Sequence, residues 1–178
     1  MSSINITVPS RDKCLELLKT YKTPTHVINH CKAVSEIALQ IAKALNDKGC
    51  ELNLGLIEAA ALLHDIARVE DNHGLKGAMI AEKHGYNEVA ELIKLHMYYI
   101  TDPYKERLNE QDVLCLADRM VKEDEYVGLE VRMQYVLDKF KGNKEATERI
   151  MQRLEENRIL KSRIEKIIDM KMDQLMSL

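Results

Sequence analysis

The sequence predicts an all-α fold, and three observations carry that expectation. Only three prolines and seven glycines interrupt 178 residues. Alternating Val, Ile and Thr of the kind that builds strands is nearly absent. Leu, Ile, Ala, Lys and Glu dominate, with apolar residues recurring at helical spacing along most of the chain. The expected architecture is a helical bundle over residues 1–142, followed by a long helical extension over residues 143–178.

Residues 1–10 are polar and contain one proline, which suits a cap or a loose tail. Ser10 is placed to cap a helix from Arg11 to Tyr21, with Cys14, Leu15, Leu17 and Leu18 on its apolar face. Thr23-Pro24-Thr25 marks a turn and a helix start. The helix from Thr25 to Leu45 buries Val27, Cys31, Val34, Ala38, Ile41, Ala42 and Leu45, and Asn46 to Gly49 end it. A second apolar run, Leu54 to Ala67, reads as a buried helix with His64-Asp65 near its C-terminal end. Asp71-Asn72-His73-Gly74 is a turn-like break. A helix from Leu75 to Lys83 follows, in which small Gly77 and Ala78 permit close approach of another helix or of a ligand. His84-Gly85 closes that helix with a glycine suited to a left-handed cap.

Asn87 opens a helix that ends near His96. Tyr98 to Leu108, with its Asp102-Pro103, is the candidate substrate-facing loop. Asn109 caps a helix carrying Val113 to Val121 with Asp118 inside it, and another helix spans Leu129 to Phe140. Lys144 to Leu178 continues as one helical pattern, with Ile150, Leu154, Leu160, Ile164, Ile167, Ile168 and Leu175 as its stripe. That stripe either folds back on the domain or joins a second copy, which would make a homodimer.

Composition narrows function. With 26 basic and 29 acidic residues the net charge is −3, so no strong cationic field exists to hold a nucleic-acid duplex. Cys14, Cys31, Cys50 and Cys115 are scattered without a C-x-x-C pair, which disfavours a structural zinc knuckle. No apolar run spans a bilayer and no charged-then-apolar leader is visible, so a reducing, cytoplasmic setting and no membrane partner are expected.

What remains is an ordered set of metal-type donors: His30, His64-Asp65, His73, His96 and Asp118. A buried charge must be paired, hydrogen-bonded or bound to metal. Imidazole and carboxylate suit Fe, Mn or Zn, and a carboxylate can bridge two ions. His26 lies four residues before His30, on the same helix face.

The segments THVINHCKAV, AALLHDIAR, HGLKGAMIAEKHG, LIKLHM and VLCLADRMV carry this order over roughly residues 20 to 135, and there the chain resembles the HD-domain superfamily of metal-dependent phosphohydrolases. The resemblance implies an HD-domain helical bundle in which His30, His64, Asp65 and Asp118 hold one metal. In the branch similar to bacterial HD hydrolases of dinucleoside polyphosphates, His73 and His96 hold a second, with Asp65 bridging. More distantly the site is similar to that of the HD-GYP phosphodiesterases, whose GYP signature this chain lacks. The implied cofactor is one or two divalent or trivalent ions. Fe or Mn is favoured, and Zn, Ni, Co or Mg also fit. The implied reaction cleaves a phosphoester or phosphoanhydride of a small-molecule nucleotide or phosphate ester, by attack of a metal-bound hydroxide. Asp65 orients the nucleophile, and Arg68 neutralises phosphate as a catalytic and substrate-binding residue. His26 and Lys122 are further substrate-binding candidates, and Arg119, beside Asp118, either lines the pocket or faces solvent. Two alternatives stand beside this reading: a dinuclear-iron oxygenase of the same fold, and a non-catalytic module that senses a nucleotide.

Overall fold

A computed structural model describes residues 6–178; residues 1–5, the first half of the expected N-terminal tail, lie outside the described residues. Among the described residues the chain forms nine helices and one two-stranded hairpin. In chain order these are α1 (Arg11–Thr20), α2 (Thr25–Asp47), α3 (Leu54–Leu63), α4 (His73–Lys83), α5 (Asn87–Leu95), α6 (Glu110–Asp118), β1 (Val121–Lys122), β2 (Glu125–Tyr126), α7 (Leu129–Lys139), α8 (Lys144–Ile168) and α9 (Met172–Leu175). The all-α expectation holds.

The bundle is organised around α3. Seven of its ten residues, Leu56, Ile57, Ala59, Ala60, Ala61, Leu62 and Leu63, are buried. A helix that is apolar all round belongs inside a core, and α3 packs against α1, α2, α5 and α6. Its alanines let those neighbours come close. The chain leaving α3 is therefore still in the interior when it reaches His64-Asp65, and both side chains are buried. Helices α4 and α5 form a close pair. A Cβ at Gly77 would lie 3.1 Å from Ile93 Cγ2 and 3.3 Å from Ile66 Cγ2, so the small residue serves helix packing.

Three expectations are corrected. The apolar run ends as a helix at Leu63, not Ala67: residues 64–69 form turns, with Ile66 N bonded to Leu63 O and Arg68 N to Asp65 O. Val121 leaves the helical pattern and pairs with Tyr126 in an antiparallel hairpin. The C-terminal pattern is broken at Asp169, which takes the left-handed conformation (φ +56°), so α9 is a separate short turn of helix. The candidate substrate-facing loop over 98–108 is tied down as well. Tyr99 Oη donates to Asp112, and Arg163 of α8 donates to the carbonyls of Pro103, Lys105 and Glu106.

The stripe on α8, including Ile150, Leu154, Leu160, Ile164 and Ile168, is buried in the same core cluster as α2 and α3. Glu165 fixes its end: the nearly buried carboxylate accepts from Met172 N at 2.9 Å, Lys161 Nζ at 2.7 Å and Lys171 Nζ at 3.2 Å. Burial disfavours its charge, but the two ammoniums and the amide prevail and hold its carboxyl below the ordinary 4.5. A carboxyl depressed on folding stabilises above its unfolded pKa and loses that contribution as pH falls through its folded one. Glu165→Gln is therefore expected to lower Tm at pH 7, with the gap to wild type closing below about pH 4; thermal melts across pH check it.

Candidate metal centre

Six side chains from five separate stretches meet beside the C-terminal end of α3. From α2, His30 Nε2 lies 3.0 Å from Asp118 Oδ1 at the end of α6. His64 Nε2 lies 3.7 Å from both Asp118 Oδ1 and Asp65 Oδ2. On the other side of Asp65, Oδ1 is 3.2 Å from His73 Nε2 and 3.6 Å from His96 Nε2. Asp65 thus faces two sets of donors with its two oxygens.

The local chemistry explains why the rings point inward. The last carbonyls of a helix have no partner within it. His64 caps α3 and turns Nδ1 to its own Ala61 carbonyl at 2.7 Å; His96 caps α5 and does the same to Ile93 at 2.5 Å. His30 has no such helix end, and the hairpin supplies its acceptor: Nδ1 lies 2.6 Å from the Glu123 carbonyl. Glu123 adopts φ +56°, a costly conformation for a residue with a side chain, at the turn that presents this oxygen. In all three rings the Nδ1–H is donated to backbone. The unprotonated Nε2 is left facing the cluster, the tautomer a metal ligand needs.

Two buried atoms, His64 Nε2 and Asp65 Oδ1, have no hydrogen-bond partner among the described residues. Orphaned buried polar atoms are costly, and both lie at the centre of the cluster. Donor atoms of His30, His64 and Asp65 all fall within 4.8 Å of one another, and so do those of Asp65, His73 and His96. These residues fit one or two cations, with Asp118 beside the first group. Electrostatics agree. Burial disfavours charge on both carboxylates, yet the imidazoles facing them win and hold Asp65 and Asp118 below the ordinary carboxylate range. Burial likewise opposes protonation of His30 and His96, but the hydrogen bond of His30 to Asp118 and the nearness of His96 to the Asp65 carboxylate raise both. Fully enclosed His64 is lowered by burial. Two anions in one interior pocket demand positive charge.

The cysteines offer no rival centre. All four are free, and burial pushes the Cys14 thiol up to about 12 and Cys115 to about 11. Such thiols are poor nucleophiles and poor metal ligands.

The remaining candidates separate. Arg68 is at the rim, half exposed: Nη1 lies 3.2 Å from His73 Nε2 and Nε 3.8 Å from Asp65 Oδ2. It stands in the turns after α3. His26 is exposed and makes no hydrogen bond or ion pair with the cluster among the described residues. Lys122 Nζ sits 4.6 Å over the Tyr135 ring, facing α7. Arg119, read as a pocket-lining or solvent-facing residue, is only 8% exposed. It donates to Asn157 Oδ1 of α8 and to the Tyr99 carbonyl at 3.1 Å each, which couples the residue after Asp118 to the loop after His96. The sequence reading missed this link and the Glu123, Ala61 and Ile93 carbonyls. Backbone acceptors leave no residue-type signature, and Arg119 follows Asp118 in a pattern equally compatible with exposure.

Known proteins resemble parts of this chain in sequence. The HD domain family profile matches residues 27–123, a span holding all six donors. The chain is 30% identical over 161 residues to tRNA (cytidine(56)-2'-O)-methyltransferase of Thermoplasma volcanium, covering 80% of this chain and 45% of that protein. It is 26% identical over 151 residues to the protein of the same name from Picrophilus torridus, covering 76% and 42%. An uncharacterized protein of Methanocaldococcus jannaschii is 39% identical over 85 residues, covering 46% of this chain and 50% of the relative. The matches span half or less of these relatives' lengths. No solved structure matches the chain.

The whole 178-residue chain loaded with Mn is expected to hold about two ions, as in a site bridged by a carboxylate. His73→Ala or His96→Ala should reduce this to about one and Asp65→Ala to about none, read by elemental analysis after gel filtration.

Proposed function

This chain belongs to the HD-domain family, and from that premise we propose that it is a metal-dependent phosphohydrolase acting on a nucleotide phosphoester or phosphoanhydride. One observation carries the reading: the two carboxylates and four inward-facing imidazole nitrogens converge on buried orphan atoms at the end of α3. That donor set suits a hard or borderline cation. His30, His64, Asp65 and Asp118 would hold one ion, and Asp65, His73 and His96 a second. A bound cation in such a site supplies Lewis acidity, lowering the pKa of water and neutralising phosphoryl oxygens.

The chain's own residues do the rest. The backbone carbonyls of Ala61, Ile93 and Glu123 keep three imidazoles in one tautomer, so no ring must rotate or exchange its proton during turnover. Asp65, enclosed and ionised, aligns the two halves of the site through its two oxygens. Arg68, half exposed at the rim, has the reach to meet a phosphate entering from solvent and to balance charge as the leaving oxygen departs. No hydroxyl or thiol nucleophile is called for, consistent with the raised, buried thiols of Cys14 and Cys115.

The methyltransferase names belong to relatives that extend well beyond the matched segments. They make a tRNA-derived phosphoester a substrate class to include beside nucleotides, although the net charge of −3 offers little to a long polyanion.

The test is a panel of nucleoside mono-, di- and triphosphates, dinucleoside polyphosphates and tRNA-derived phosphoesters, offered under reducing conditions to Mn- or Fe-loaded protein. Phosphate release on at least one class is expected. It should fall at least about a hundredfold in Asp65→Ala and about tenfold in Arg68→Ala, the scale of one lost charge contact at a transition state. Full metal occupancy with no turnover on any member would favour the nucleotide-sensing alternative.

A further inference from the structure

The turn between α1 and α2 reaches the segment that carries Asp65 through one hydroxyl. Thr23 Oγ1 donates to the Ile66 carbonyl at 3.0 Å, and both residues are buried. Ile66 directly follows Asp65, the carboxylate that faces both groups of donors. Its carbonyl is an orphan of the chain's path. Had α3 run on, the amide four residues later would take it. The helix stops at Leu63, the Glu70 amide goes to Ala67 O instead, and no turn or loop amide among the described residues donates to Ile66 O. A buried carbonyl without a donor is costly, and the Thr23 hydroxyl supplies the bond.

The backbone holds Thr23 firmly for this contact. At the end of α1, Thr23 N donates to Leu18 O at 2.9 Å and Lys22 N to Lys19 O at 3.0 Å. That pair of bonds calls for a left-handed residue just past the helix, a place most often given to glycine. Here Lys22 takes it at φ +55°, a conformation that a side chain makes costly. On the other side, Pro24 restricts the backbone of the residue before it. Thr23 is thus fixed from both directions. Its hydroxyl also passes over the nearest helix start. Pro24 stands at the N-cap of α2 and no side chain caps that end, a task threonine commonly performs. The hydroxyl bonds instead to a carbonyl 43 residues along the chain.

We infer that Thr23 is a positioning residue of the metal centre, whose hydroxyl fixes the turn carrying Asp65 and so sets where that carboxylate points. The inference rests on the metal centre of the proposed phosphohydrolase. Oδ1 and Oδ2 of Asp65 face different donors, so a small rotation of its turn misplaces both oxygens at once. Arg68, two residues past Ile66, belongs to the same turns and moves with them. Removing a group that holds a ligand in place without touching the metal lowers metal affinity about ten- to a hundredfold.

Calorimetric titration of Mn into the metal-free 178-residue chain tests it, at a temperature where circular dichroism shows the variants folded. Thr23→Val keeps the shape and removes the donor, and is expected to weaken Mn binding about tenfold. Thr23→Ser keeps the same O–H donor and should stay within about twofold of wild type. Thr23→Cys, with its weak S–H donor, should fall between the two, and it decides the matter if the valine variant does not fold. Glu165→Gln is the control for general destabilisation, because that carboxylate bonds Lys161, Lys171 and Met172 and none of the metal-type donors. Its Tm should fall while its Mn affinity matches wild type. Wild-type affinity in Thr23→Val, or in Thr23→Cys where valine cannot be measured, overturns the positioning role and leaves the phosphohydrolase reading standing. A loss in Thr23→Ser as large as in Thr23→Val, or an equal loss in Glu165→Gln, also overturns it. A wild-type chain that binds no Mn removes the metal centre and this role with it.

Discussion

The structure depends on one buried carboxylate that answers to two groups of ligands. Asp65 lies just past the end of an all-apolar helix, inside the bundle, and is nevertheless ionised. An isolated carboxylate in that position would cost several kcal/mol. The chain meets this by turning four imidazoles and a second carboxylate toward it from α2, α4, α5, α6 and the turn after α3. Every helix that supplies a donor is thereby constrained in rotation and in where it ends. The interior tolerates this charge because the surrounding elements converge on it.

Helix termini do much of the positioning. His64 and His96 each occupy the cap of a helix and each spends its Nδ1–H on an orphan carbonyl of that helix. Leftover backbone capacity thus becomes a tautomer lock. His73 works from the opposite kind of end, as the first residue of α4, after Asn72 in the left-handed conformation. His30, in mid-helix, borrows a carbonyl from a strained hairpin instead. The C-terminal extension contributes through Arg119, whose buried guanidinium ties Asn157 of α8 to the segment after His96. Apolar packing of α8 and polar support of the centre therefore come from the same helix.

Much of this was legible in the sequence, for identifiable reasons. Long amphipathic runs such as Thr25–Asp47 announce themselves by period, and the donors stand out because charged groups beside apolar runs need partners. Where the reading failed, local competition decided. No glycine or proline stops the helix at Leu63; the His64 ring takes the Ala61 carbonyl, and the next residues close tight turns. Val121 to Tyr126 is too short to show alternation and has no glycine at its turn, so the hairpin that holds His30 left no mark. The separation of Lys122 from the metal-facing groups, and its place over the Tyr135 ring of α7, depends on a side-chain direction that spacing alone does not encode.

A structure of the metal-loaded protein with anomalous scattering recorded at the absorption edge tests the central claim most directly. The account requires metal density touching Asp65, with His30, His64 and Asp118 around one position and His73 and His96 around any second. Density at another place on the chain, or an Asp65 carboxylate that contacts no ion in fully loaded protein, would contradict it.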